Sequence, residues 1–166
     1  MRMGSAWRRL GRSESGSELV EFALSACVFM TLLFGIMDFS RALYAYHFVS
    51  YAAQEGSRYA MVRGSDWPNT CAAANSYSCE ASSANITSYV QGLAQPGISS
   101  SGVEVTPSWP QQTVNGSSAG CNSAATQNSK GCLVKVQVSY DFHFSMPFLP
   151  KSGFTMTATS EKVIVN

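Results

Sequence analysis

Charge is scarce in this 166-residue chain, with 13% of residues charged against 45% hydrophobic. Eleven Lys and Arg almost cancel ten Asp and Glu, for a formal net charge of +1. That balance supplies no basic surface for a phosphate backbone, so no nucleic-acid partner is expected. Histidine is scarcer still: His47 and His143 lie far apart, and no CxxC spacing occurs. Neither fits a zinc-finger pattern, and no metal or cofactor is expected. The one strongly apolar run, residues 22–37, is bounded by Glu21 and Asp38 and is only 16 residues long. At about 1.5 Å per residue it covers roughly 24 Å, less than the ~30 Å hydrocarbon core of a bilayer.

A spanning helix must therefore begin near Leu19 and take Glu21 into or near the lipid. A charge at the centre of a membrane helix costs roughly 2.5–3.5 kcal/mol, less near an end, so such residues usually have a partner and a function. Glu21 either rests at headgroup depth without a role or meets a cation. Cleavage after Gly16 would supply one, because the new amine of Ser17 would stand four positions before Glu21, one helical turn away on the same face.

Four arginines, Arg2, Arg8, Arg9 and Arg12, precede the apolar run, and Arg41 follows it beside Asp38. Positive-inside bias puts the N-terminus in the cytoplasm and the chain after about residue 40 outside. Residues 1–16 hold four Arg and one Glu, net +3, which leaves seven basic and nine acidic residues, net −2, beyond them. The basic cluster reads as a topology signal.

A basic leader, Gly16, four residues, then Glu21 and Phe22 before an apolar helix resembles the prepilin-peptidase site of type IV pilins and of the Flp and TadE-like pseudopilins of the tight-adherence pilus machine. The stretch from Phe34 through Asp38 and Arg41 to Tyr44, and that from Ala52 through Glu55, Gly56 and Arg58 to Ala60, resemble the two densest patches of the TadE-like family. Together these cover roughly residues 10–64. The resemblance implies processing between Gly16 and Ser17 by a prepilin peptidase, recognition and assembly through Glu21 and Phe22, and a helical family motif holding Asp38, Arg41, Glu55, Gly56 and Arg58. The implied partners are the peptidase, other pilins and pseudopilins, an inner-membrane assembly platform and the lipid bilayer. The implied location is the bacterial cytoplasmic membrane, single-pass, with possible incorporation into a pilus.

Two other readings of the N-terminus fail on pattern. Leu24, Ser25, Ala26 and Cys27 fit a lipobox, but a lipoprotein signal carries its apolar region before the cysteine, and here it follows. An ordinary secretory signal needs a small-x-small site after the run, and none is present. Cys27 then reads as a small hydrophobe within the span. Cys71, Cys79, Cys121 and Cys132 all fall in the exported part, where an even number points to two disulfides. Of three possible connectivities, Cys71 with Cys79 and Cys121 with Cys132 closes the shortest loops.

The expected fold is α+β: a long N-terminal transmembrane helix continuing into a small pilin-like head with an antiparallel sheet. The expected organisation is a leader over 1–16, a transmembrane helix over 17–40, its extracytoplasmic continuation over 41–63 and a disulfide-stapled head over 64–166. Residues 38–62 contain no proline, place Asp38 with Arg41 and Glu55 with Arg58 at i,i+3, and bring Phe39, Leu43, Tyr46, Val49, Ala53 and Tyr59 roughly onto one stripe. Tyr44, Tyr46, Phe48, Tyr51 and Tyr59 read either as core and interface belt or as a gripping surface for neighbouring subunits. A helix over 17–62 would run roughly 70 Å. Beyond it the pattern predicts a short helix over 82–94, capped by Ser82 or Ser83 and ended at Pro96-Gly97. It predicts a brief strand over 103–106, a loop over 107–131, and paired strands over 133–144 and 154–165.

No enzyme is expected. Gly116-Ser117-Ser118-Ala119-Gly120 satisfies GxSxG, but a nucleophile elbow needs a strand before it and a helix after it, and low-complexity loop surrounds it. His143 reads as one position on an alternating strand and His47 as a polar site on the helix. Function is then a pilin-like minor subunit for a tight-adherence pilus or related secretion machine. The alternative is an uncleaved, membrane-tethered extracytoplasmic adaptor, and a tethered hydrolase using Ser118 or His143 ranks far below both.

Overall fold

The structure, a computed structural model, describes residues 14–67, 80–110, 113–114, 117–118, 121, 127–145 and 153–165. The chain divides into two compact units, Met1–Ser40 and Arg41–Asn166. The first helix, α1, spans Glu14–Val62 and belongs to both.

Within the first unit α1 has no buried apolar face. Leu19, Phe22, Leu32 and Ile36 are between 61% and 72% exposed, and Phe29 is 58% exposed. A soluble protein does not leave so long an apolar stretch in water, and the helix is long and apolar enough to cross a membrane. The hydroxyls of Thr31 and Ser40 each donate to the carbonyl four residues back, Cys27 and Ile36, at 2.8 Å. Both polar groups are thus satisfied within the helix, as apolar surroundings require.

The second unit is an α+β head. Its sheet has the order β1-β4-β5, built from β1 (Val103–Ser108), β4 (Leu133–Phe142) and β5 (Phe154–Val163), with both pairings antiparallel. Register follows the period-2 alternation of β4: Val138 lies opposite Val105 and Ala158, and Val136 opposite Pro107 and Ser160. Val134, Val136 and Val138 are fully buried, while the other face is polar, with Lys135 bonded to Glu161 across the strands at 3.2 Å. One face of the sheet therefore seeks a cover, and the other suits water.

The cover comes from the head half of α1 and from a second helix, α2 (Ser83–Gly92). Ser82 caps α2, its hydroxyl accepting from the Asn85 N–H at 3.2 Å, and Ile86 and Val90 form its buried stripe. On α1 the buried face is Ala45, Phe48, Val49, Ala52, Ala53, Gly56, Ser57, Tyr59 and Ala60. This corrects the predicted stripe: Val49, Ala53 and Tyr59 lie on it, but Leu43 and Tyr46 are 45% and 55% exposed and Phe39 is also exposed. Close approach decided the face. The small residues bring the helix so near its neighbours that a Cβ on Gly56 would stand 2.7 Å from Val90 Cγ2 and 3.1 Å from Val136 Cγ1. Around Gly56 a larger side chain has no room, and Phe39, Leu43 and Tyr46 lie outside the buried face.

Three further differences from the sequence expectation have local causes. The segment predicted as loop over 107–131 holds a two-stranded ribbon, β2 (Thr113–Val114) with β3 (Ser117–Ser118), too short to show alternation. β4 ends at Phe142 rather than residue 144, because the chain leaves the ladder and Phe144 packs on Phe142 and Phe154, with centroids 5.5 and 5.8 Å away. β5 stops at Val163, after which Ile164 bridges Gly131 and Cys132 through backbone bonds and the Val165 N–H donates to the Met61 carbonyl at 3.0 Å. Cys121 and Cys132 are joined by a disulfide, and Cys71 and Cys79 lie outside the described residues.

Candidate functional site

The N-terminal candidates occupy the start of α1. Gly16 and Ser17 lie in its first turn and are exposed, as are Glu21 and Phe22, the latter 72%. The first four N–H groups of a helix have no partner within it, so this turn is the least tied part of α1. Asp38, at the far end of the apolar run, is 2% exposed and engaged.

The family-motif residues in the head have different tasks. Glu55 and Arg58 form an ion pair at 3.2 Å on the outer side of α1. Gly56, between them in sequence, faces the opposite way, into the contact with Val90 and Val136. Beside this pair runs a stack that sequence reasoning missed. Tyr59 and Tyr89 lie face to face with centroids 4.5 Å apart, and the Arg63 guanidinium sits 4.3 Å over Tyr59 and 5.3 Å over Trp67. Burial raises the pKa of the Tyr89 hydroxyl, with the Glu55 carboxylate and Tyr51 adding to it and Arg63 and Arg58 opposing. Arg63 and Trp67 lie beyond the end of α1 at Val62, so no helical spacing signals the stack in the sequence.

A cleft of about 250 Å³ opens where the head begins, lined by Arg41, Tyr44, Gly97, Tyr140, Asp141 and His143 around a floor of Ala45, Ile98 and Phe142. Arg41 sits over the Phe142 ring at 5.7 Å and donates from Nη1 to the Ser145 hydroxyl. Tyr44 donates to Gln95 Oε1 at 2.8 Å, and Asp141 accepts from the Thr155 hydroxyl at 2.5 Å. Gly97 turns the chain at φ +93°, a conformation that favours glycine. His143 lies just past β4 and is exposed, which corrects its predicted place within a strand. His47 is exposed on α1, its ring edge-on to Tyr46.

Among the described residues no cluster of three or more His, Cys, Asp or Glu could hold a metal. Of the GxSxG residues, Ser117 and Ser118 form β3, and the rest lie outside the described residues. Cys27, at the lipobox position, is an exposed free thiol on α1.

No curated protein and no solved structure matches the chain significantly. Residues 16–58, which carry the Gly16–Glu21 spacing, the apolar run and the small-residue face up to Arg58, match the family model described as TadE-like protein. Over that segment, about a quarter of its length, this chain is similar to TadE-like proteins.

Proposed function

We propose that this chain is a pilin-like, non-catalytic minor subunit, cut after Gly16 by a prepilin peptidase and assembled through Glu21 into a tight-adherence pilus or a related secretion machine. The observation that carries the reading is the double use of α1. One uninterrupted helix presents an exposed apolar surface over its first unit and a buried small-residue face over its second. An anchor and the spine of a head domain are thus a single element, the architecture a subunit needs if it waits in lipid and later leaves it.

Cleavage between Gly16 and Ser17 would remove residues 1–16, of which only the last three belong to α1, and the helix would start at Ser17. The new ammonium would lie one turn from Glu21. A carboxylate at membrane depth gains most when a neighbouring subunit's N-terminal cation reaches it, so assembly favours extraction from lipid. Positive-inside bias places the leader in the cytoplasm and the head outside, within reach of other pilins and of an inner-membrane platform.

The N-terminal mass of the protein recovered from native-like membranes tests this. A chain starting at Ser17, with or without a methyl group, is expected, whereas a chain retaining the residues before Gly16 would favour a tethered adaptor. Replacing Glu21 with Ala should leave membrane insertion unchanged and impair assembly. Normal pilus assembly by that variant would remove the role given to the carboxylate.

A further inference from the structure

The three-stranded sheet of the head ends on two unlike edges. On one side β1 is six residues long, carries Pro107, which has no N–H, and has its Val103 carbonyl taken by Gln91 Nε2 at 3.2 Å. A short strand and a proline close an edge to further pairing. On the other side β5 runs ten residues without proline or glycine, and its only charges, Glu161 and Lys162, stand near its C-terminal end. Among the described residues no strand pairs with its outer edge. The even-numbered residues of β5 share the face of Val134, Val136 and Val138, toward the helices. Along that face Phe154 is 44% exposed, Met156 is buried and Lys162 is exposed. The odd-numbered face carries Thr155, Thr157 and Thr159, then Glu161, which Lys135 holds at 3.2 Å. Among the described residues Lys162 makes no ion pair.

We propose that β5 accepts an antiparallel β-strand from a different protein, one with apolar residues at alternate positions on the helix-side face and a carboxylate opposite Lys162. The antiparallel sense continues both pairings already in the sheet. In strand addition the backbone groups supply the attraction and alternate side chains supply the choice. Phe154, Met156 and Ala158 offer apolar neighbours to the incoming strand, and the threonine row on the other face suits hydroxyl or β-branched partners. Lys162 decides against a second copy of this chain. Residues directly opposite each other in a sheet lie on one face, so the partner must bring its acid to that face. Antiparallel pairing of two identical edges keeps like faces together, and a second β5 would bring Phe, Met, Ala, Ser and another Lys there. The β1 edge of a second copy is closed by Pro107 and Gln91. The inference concerns the head alone and holds whether or not the chain is cut after Gly16.

The test uses the full chain in detergent and a fluorescent ten-residue peptide alternating threonine and valine, with glutamate in place of the first valine so that it falls opposite Lys162. Fluorescence anisotropy should show saturable binding, about fivefold tighter than for the same peptide with lysine at that position, the factor expected of an attractive against a repulsive cross-strand pair. Lys162→Gln should bring the ratio toward one and Lys162→Glu should reverse it, with near-ultraviolet circular dichroism verifying a folded head. Methylating the peptide's backbone nitrogens on one set of alternate residues should abolish binding, and on the other set should leave it, because only one edge of the added strand meets β5. Absence of saturable binding overturns the proposal, as do equal affinities for the two peptides or indifference to both methylation patterns. Self-association of the full chain that grows stronger in Lys162→Gln overturns it too, because the lysine would then guard the edge instead of selecting a partner.

Discussion

The two halves of α1 obey opposite rules. In the first, large apolar side chains point outward all round the helix and no face is buried; in the second, the buried face is mostly Ala, Gly and Ser while Leu43, Tyr46 and Tyr51 point away. The difference teaches that apolarity alone does not say which residues form a core. In the exposed apolar half nothing among the described residues packs against the helix, and bulk meets no obstacle. In the head the side chains are chosen for separation from the sheet, and bulk is an obstacle.

Four experiments sharpen or break that contrast. The largest effect is expected at Gly56, where a Cβ must push into Val90 and Val136, both held by a packed core. Gly56→Ala should lower head stability by about 1–3 kcal/mol, measured by thermal or denaturant melting in detergent, the overpacking term outweighing alanine's better helix propensity. An unchanged midpoint would mean that the helix is not held so close. Next comes a matched pair on one helix: Val49 is 1% exposed and Val28 63%. Val49→Ala should cost about 1.5 kcal/mol by the same melt, and Val28→Ala less than about 0.5 kcal/mol. Equal losses would end the distinction between the halves. Ser82→Ala removes the α2 cap and should cost about 1 kcal/mol, with α2 amides exchanging hydrogen faster.

The smallest effect is pH dependence at Tyr89. Its folded pKa lies above the ordinary value of about 10, so the folded head holds a proton that the unfolded chain releases. That contribution is fully present below the ordinary value and is lost as pH rises through the folded one. Stability should therefore fall with rising pH in that alkaline range, and Tyr89→Phe should flatten the slope; an unchanged slope would assign it to other tyrosines.

Legibility in the sequence followed the physics of each element. The alternation of β4 survives because one of its faces is buried and the other wet, and α2 was legible from Ile86, Val90 and the serine before them. The α1 stripe was misread because a search for large apolar residues finds Leu43 and Tyr46, while the contact is made by residues whose merit is smallness. The cleft at the start of the head was illegible because its walls come from residues 41–45, 96–98 and 140–143, which only the folded head brings together. Gly16, Ser17 and Glu21 were legible as a spacing, and the fold leaves all three exposed at the start of α1.

The bonds that tie the distal end of α1 to the sheet have a mechanical consequence. Ser57 meets Ser160 at 2.8 Å, and the Met61 carbonyl takes the Val165 N–H. A tug delivered along α1 would have to slide the whole Ala45–Ala60 face across its seat while these fasteners strain at once, instead of peeling away one contact at a time. Shear of that kind resists rupture better than unzipping, so the head should hold to its helix under load.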